Sequence, residues 1–173
     1  HAFSDTDGLP DPHAFPRAVV AGEQIANDRI MAAARRHLHD LERDDIYWDD
    51  AECQRFADTI EQLRIVDGHE LTGQPMRLLP WQSWVLCSVL AWKYVENDGR
   101  RYKTAMLEVA RGAGKTTMAA ALMLHLAMAS NGADLITMAN TVVQARQAYT
   151  AIQQFARDAW GDHRDEDDGD AAL

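Results

Sequence analysis

Val109-Ala110-Arg111-Gly112-Ala113-Gly114-Lys115-Thr116-Thr117 is the stretch whose reading decides the fold. It satisfies G-x-x-x-x-G-K-[ST] at Gly114, Lys115 and Thr116, with Val109 standing in the place of the first glycine. The residue types carry the chemistry. Gly112, Ala113 and Gly114 are small enough for backbone N–H groups to wrap phosphate oxygens, and a helix starting after them adds the positive end of its dipole. In such a cradle Lys115 neutralises the β/γ-phosphate oxygens of a nucleotide and the Thr116 hydroxyl holds Mg²⁺, with Thr117 following in the same turn. A glycine-rich turn with a merely solvated lysine is the plain alternative. Arg111 has two readings: a cationic finger acting in cis on the γ-phosphate, or a surface guanidinium paired with Glu108 or with the acidic tail.

Outward from the loop, residues 102–109 read as a strand leading in, and the Ala- and Leu-rich residues 115–130 as the helix leading out. Asn131-Gly132 ends that helix. Residues 135–139 are a short buried-strand candidate, and Thr141 caps a last helix reaching Trp160. Strand–turn–helix–strand–helix is a βαβ unit. The expected fold class is therefore α/β, a P-loop NTPase-type parallel sheet preceded by an N-terminal helical subdomain. The sheet reads as incomplete, because a parallel sheet is covered on both faces and has several strands, whereas only two are found.

Upstream, residues 1–16 hold three of the five prolines and read as an extended, solvated lead-in. Ile25, Ile30, Met31, Ala34, Leu38 and Leu41 recur at helical steps and predict an amphipathic helix over 22–41. A second helix is expected over 49–65, with Asp49 or Asp50 as its cap and Phe56, Ile60 and Leu63 on one face. Gly68 and Gly73-Gln74-Pro75 break the chain, and a third helix over 81–95 starts at Pro80. Asn97-Asp98-Gly99 is a turn. The resulting division is an extended lead-in (1–17), a helical lid-like subdomain (18–72), the start of an ATPase domain (73–161) and an acidic tail (162–173).

Seventeen Lys and Arg against twenty-seven Asp and Glu leave a net charge of −10 over 173 residues. Such a chain repels a phosphate backbone on average, so any nucleic-acid contact is local. The two cysteines, Cys53 and Cys87, form neither a metal spacing nor a disulfide scaffold, and a reducing cytoplasm is the simplest compartment. The longest apolar run, residues 118–129, includes His125 and is too short to span a bilayer. No signal peptide opens the chain, and its first residue is His rather than Met.

The loop Arg111–Thr117 resembles the deviant Walker A of the large terminase subunits of tailed bacteriophages, which carries an arginine at this place. Other elements follow in the same order. Arg36-His37-Leu38-His39-Asp40-Leu41 resembles an RHL-x-DL helix element, Leu78-Leu79-Pro80-Trp81-Gln82 an L-x-PWQ adenine motif, Arg100-Arg101-Tyr102 an RR-aromatic step, and Thr141-x-x-Gln144-Ala145 a T-x-x-QA step. The resemblance implies an ATP- and Mg²⁺-dependent translocase that packages double-stranded viral DNA from the host cytoplasm. It works as a ring with a small terminase subunit and the capsid portal. It further implies Gln82 as adenine reader, Arg111 as catalytic arginine, Lys115 and Thr116 on phosphate and Mg²⁺, and Gly112, Ala113, Gly114 and Thr117 as cradle. A glutamine amide suits adenine's N6/N7 edge, although a Gln82 that simply caps the Pro80 helix is the other reading. Trp81, Trp84 and Trp92 are expected in the core.

No Asp or Glu after Lys115 ends an apolar run, so the carboxylates that hold Mg²⁺ and orient water are expected beyond residue 173, with the nuclease domain. The expectation for this chain alone is nucleotide binding without multiple turnover. Another P-loop ATPase such as a helicase, or a non-enzymatic prophage remnant, is the rival reading.

Overall fold

The computed structural model describes residues 9–65, 70, 72–130, 134, 136–139 and 141–160, the side chains of 144, 147, 148 and 158–160 excepted. The chain divides into two compact units: His1–Glu61 with Met76–Ala113, and Gln62–Pro75 with Gly114–Leu173.

The first unit holds four helices and a two-stranded ribbon. α1 (Ala14–Ala21) packs against α2 (Asp28–Asp40) and α4 (Pro80–Ala91), and α3 (Asp50–Glu61) packs against α4. β1 (Ile46–Trp48) and β2 (Trp92–Tyr94) pair antiparallel, with Tyr47 opposite Lys93. Local chemistry sets the helix starts. The Asn27 side chain accepts from the Ile30 N–H at 3.0 Å, and Asp49 Oδ1 accepts from the Glu52 N–H at 3.1 Å. Pro80 opens α4, where its missing N–H has no helical partner to lose. Val19, Phe56, Ile60, Cys53, Cys87, Leu90 and Trp92 form the buried core. The two thiols are adjacent, and the hydrogen bond to Cys87, together with burial, pushes the Cys53 thiol far up. Both are buried and pack as small apolar groups.

In the second unit α5 (Lys115–Ala129) packs against α6 (Val142–Trp160), and Met118, Leu124 and Phe155 are fully buried. Residues 62–75 contribute a small turn closed by the Arg64–Pro75 bridge, with the Ile65 N–H donating to Gln74 at 2.9 Å. Leu63 is buried here, beyond the end of α3.

Several expectations are corrected. The described sheet is antiparallel, not parallel: it joins β1 to β2, and neither 102–109 nor the described part of 135–139 forms a strand. Both are apolar, but a parallel strand is stable only with ladder partners and covered faces. Without them Met106 is 90% exposed, Ile136 75% and Met138 89%. The lead-in is not extended and solvated from residue 9 onward, since Leu9, Pro12 and Pro16 are buried and α1 begins at Ala14. Pro16 is tolerated because it falls in the first turn, where N–H groups are unused. α2 starts six residues later than Gly22 and leaves Ile25 outside; it buries Ala34, His37 and Asp40 rather than its largest apolar residues. The helix expected to reach Val95 stops at Ala91, where Trp92, Lys93 and Tyr94 turn extended to pair with β1. The Asn97-Asp98-Gly99 turn forms, with Asp98 at φ 57° and the Asn97 side chain accepting from the Gly99 N–H at 2.9 Å. α5 and α6 fall where expected; Asn131, Gly132, Leu135 and the acidic tail lie outside the described residues.

Candidate functional site

Two glycines shape the phosphate loop. Gly112 at φ 82° and Gly114 at φ 78° lie in the left-handed region, where a Cβ costs on the order of 1–2 kcal/mol. Between them Ala113 donates its N–H to the Ala110 carbonyl at 3.4 Å. Gly114 is the N-cap of α5, and its carbonyl accepts from the Met118 N–H at 2.9 Å. N–H groups of a helix's first turn point out along the axis and are not consumed within the helix. Lys115 and Thr116 open that turn and are exposed, while Thr117 is half-buried. A lysine and a hydroxyl at a helix start, following two left-handed glycines, are a donor set that fits a triphosphate with Mg²⁺. Arg111 is exposed and makes no ion pair among the described residues, so the pairing with Glu108 does not form.

Gln82 is brought onto the loop. Its Oε1 accepts from the Leu79 N–H at 2.8 Å, which caps α4, and its Nε2 donates to the Ala113 carbonyl at 3.2 Å. The capping role left open by the sequence is thus present, and it joins the Pro80-Trp81-Gln82 element to the cradle. One Nε2 hydrogen remains for another acceptor. The Gln144 backbone lies in α6, and its side chain is outside the described set.

The structure also joins groups that sequence reasoning did not connect. Asp40, nearly fully buried, accepts from Arg101 Nη1 at 2.7 Å and lies 3.5 Å from Arg43 Nη1. The Arg101 guanidinium lies 5.7 Å from the Trp92 ring centroid and 5.1 Å from that of Tyr102. The RHL-x-DL element and the RR-aromatic step are therefore one buried ion pair. Their separation of 61 residues hides this in the sequence; the only signal is an Asp on the apolar side of a helix. His37 sits among Trp48, Trp84 and Trp92, and its Nε2 is 2.9 Å from His13 Nδ1. Burial, then the neighbouring His13, lowers the His37 pKa to about 3, and burial lowers that of His13 as well. The expected core placement holds for Trp92, which is buried; Trp81 and Trp84 are half-buried.

A glycine-shaped phosphate loop capping a helix is the mark of a P-loop nucleotide-binding protein. The chain belongs to the family described as Type III restriction enzyme, res subunit, which it matches over residues 56–170, more than half its length. No curated protein and no solved structure matches it. Among the described residues no helix is long and apolar enough to cross a membrane, and no cluster of His, Cys, Asp or Glu could hold a metal ion.

Proposed function

We propose that this chain binds ATP-Mg²⁺ as the ATPase part of a DNA-packaging motor of the large-terminase kind. Lys115 contacts the β/γ-phosphates, and Thr116 holds Mg²⁺. Gly112, Ala113, Gly114 and Thr117 form the cradle, Arg111 reaches the γ-phosphate, and the remaining Gln82 N–H reads adenine. Mg²⁺, when held there, would supply positive charge against the phosphate oxygens. The observation that carries the reading is the Gln82–Ala113 hydrogen bond, 3.2 Å long, which seats the element resembling an adenine motif on the phosphate loop. That Arg111 makes no ion pair among the described residues supports it, since a guanidinium engaged by Glu108 would not be free to turn to a phosphate. The partners under this reading are double-stranded DNA, a small terminase subunit and the portal, in a ring.

A second reading, a helicase-like subunit of a restriction enzyme, is favoured by the family match. It shares the nucleotide chemistry and differs in partners. The first test is thermal unfolding with ATP-Mg²⁺. At about 100 times the dissociation constant, ligand should stabilise the chain by roughly 2.7 kcal/mol, a rise of several degrees that Lys115→Ala removes. Equal shifts in both proteins would sink nucleotide binding at this loop. The second test is co-purification of the tagged protein with the portal and small subunit encoded in the same genome. A complex supports packaging; its absence, with nucleotide binding intact, favours the restriction-type reading.

A further inference from the structure

The first unit contains a cavity of about 330 Å³ that the nucleotide chemistry does not use. α2, α4, β2 and the segment after Arg101 wall it, and none of the loop residues 109–117 lines it. A cavity of roughly 300 Å³ or more holds one small organic molecule. Its walls include the aromatic residues Trp84, Trp92 and Tyr102, and the aliphatic Val85.

One carboxylate and one guanidinium line this cavity, and the carboxylate already has its partners. Asp40 is the lining carboxylate, and it is held by Arg101 at 2.7 Å and Arg43 at 3.5 Å, while Arg43 also grips Asp45 at 2.6 Å. Arg101, Arg43 and Asp45 lie outside the lining, so Arg36 is the lining guanidinium and the carboxylate beside it is already engaged. Arg36 lines the cavity, is exposed, and has no hydrogen bond or ion pair among the described residues. His37 adds no positive charge near neutrality, because burial keeps it deprotonated. Polar groups are also left over. Trp84 Nε1 and Ser88 Oγ, one turn apart on α4 and both from lining residues, are buried without a hydrogen-bond partner among the described residues. A buried donor without an acceptor is costly, by more than a satisfied one contributes. An occupant whose oxygen lodges against that turn, met by a rotation of the Ser88 hydroxyl, relieves this.

We propose that this cavity is a binding site for a small aromatic acid. The ring packs against Trp84, Trp92 and Val85, and the carboxylate or sulfonate pairs with Arg36. A guanidinium beside an aromatic-walled cavity favours that combination: an aliphatic acid leaves the walls unfilled, and an uncharged ring forgoes the charge-assisted pair with Arg36.

The probe is the aromatic sulfonate 1-anilinonaphthalene-8-sulfonate, titrated into the intact chain by fluorescence. One saturable site per chain is expected, weakened by added salt because the pair at Arg36 is exposed. Arg36→Gln, a change at an exposed and unpaired side chain, should weaken binding about tenfold. Val85→Trp should abolish it by filling the cavity. Should Val85→Trp fail to fold, the Arg36→Gln titration and displacement by indole-3-acetate, but not by acetate, still decide the matter. Unchanged affinity in Arg36→Gln would overturn the proposal. So would equal displacement by acetate. ATP-Mg²⁺ should leave the probe in place; displacement by ATP-Mg²⁺ would assign the cavity to nucleotide instead and end the case for a separate site.

Discussion

The surroundings of Asp40 and the surroundings of the phosphate loop are built on opposite terms. Around Asp40, charged groups are drawn out of solvent and answered: Arg101 by Asp40, Trp92 and Tyr102, and Lys93 by Asp49 at 2.6 Å. Around the loop, the backbone has its left-handed glycines and its helix start, yet the flanking apolar segments stand open to solvent. The difference teaches that a phosphate cradle is a local object. Two glycines and a helix N-terminus suffice to form it, whereas a sheet or a buried ion pair exists only when distant residues meet.

That contrast can be broken most forcefully at Asp40. Asp40→Ala leaves Arg101 buried beside Trp92 without its carboxylate, and the expected loss is about 3–5 kcal/mol. Urea unfolding followed by circular dichroism measures it. The double variant Asp40→Leu with Arg101→Met should recover most of that loss, because the desolvated charge is then gone. A loss below about 1 kcal/mol, the range of an exposed ion pair, would place the pair with ordinary surface bridges.

Acid attacks the same region next. His37 has its pKa lowered to about 3, against an ordinary value near 6.5 in the unfolded chain. The unfolded state therefore binds more protons between these values. Stability is full above pH ~6.5 and falls as pH drops towards 3, reaching a loss of about 2–3 kcal/mol at pH ~4.5. Carboxylates with lowered pKa, such as Asp49, weaken the fold only as pH falls below their ordinary range, near 3.8, so the window above pH ~4.5 belongs to His37 and His13. Denaturation midpoints at pH 7 and 4.5 check this, and a His37→Gln chain should show a flatter profile. An unchanged slope in that variant would mean that His37 does not carry it.

Gln82 ties the start of α4 to Ala113 within the first unit and sharpens the comparison. Gln82→Ala should weaken ATP by about 1–3 kcal/mol, from an unpaired adenine edge and a released Ala113 carbonyl. Inorganic triphosphate, lacking a base, reports only the second contribution and should be weakened less. Calorimetry with both ligands separates them, and equal losses would assign Gln82 wholly to holding the loop.

The smallest effect is expected within the loop. Gly112→Ala places a Cβ at φ 82° and should cost on the order of 1–2 kcal/mol, although nothing lies within 4 Å of that position. Thermal unfolding should show this penalty without a change in cooperativity. No loss at all would show that the loop relaxes to an extended form and that its shape is not held.

The sequence by itself determined whatever depends on neighbours a few residues apart. The glycines of the loop, Asp49 as cap, Pro80 at the head of α4, the 97–99 turn, and α5 and α6 are all legible in this way. The positions of Lys115 and Thr116 at a helix start were legible for the same reason. Tertiary structure alone decided the rest. Periodicity ranked Ile25 and Leu41 as core, yet Ile25 is 95% exposed while His37 and Asp40 are buried, because ring and guanidinium partners far along the chain make polar burial affordable. The apolar runs at 102–109 and 135–139 carry strand propensity without stating a partner. A strand is a relation between segments rather than a property of one, and β1 with β2 formed where Trp48 and Trp92 could stack edge to face at 5.2 Å.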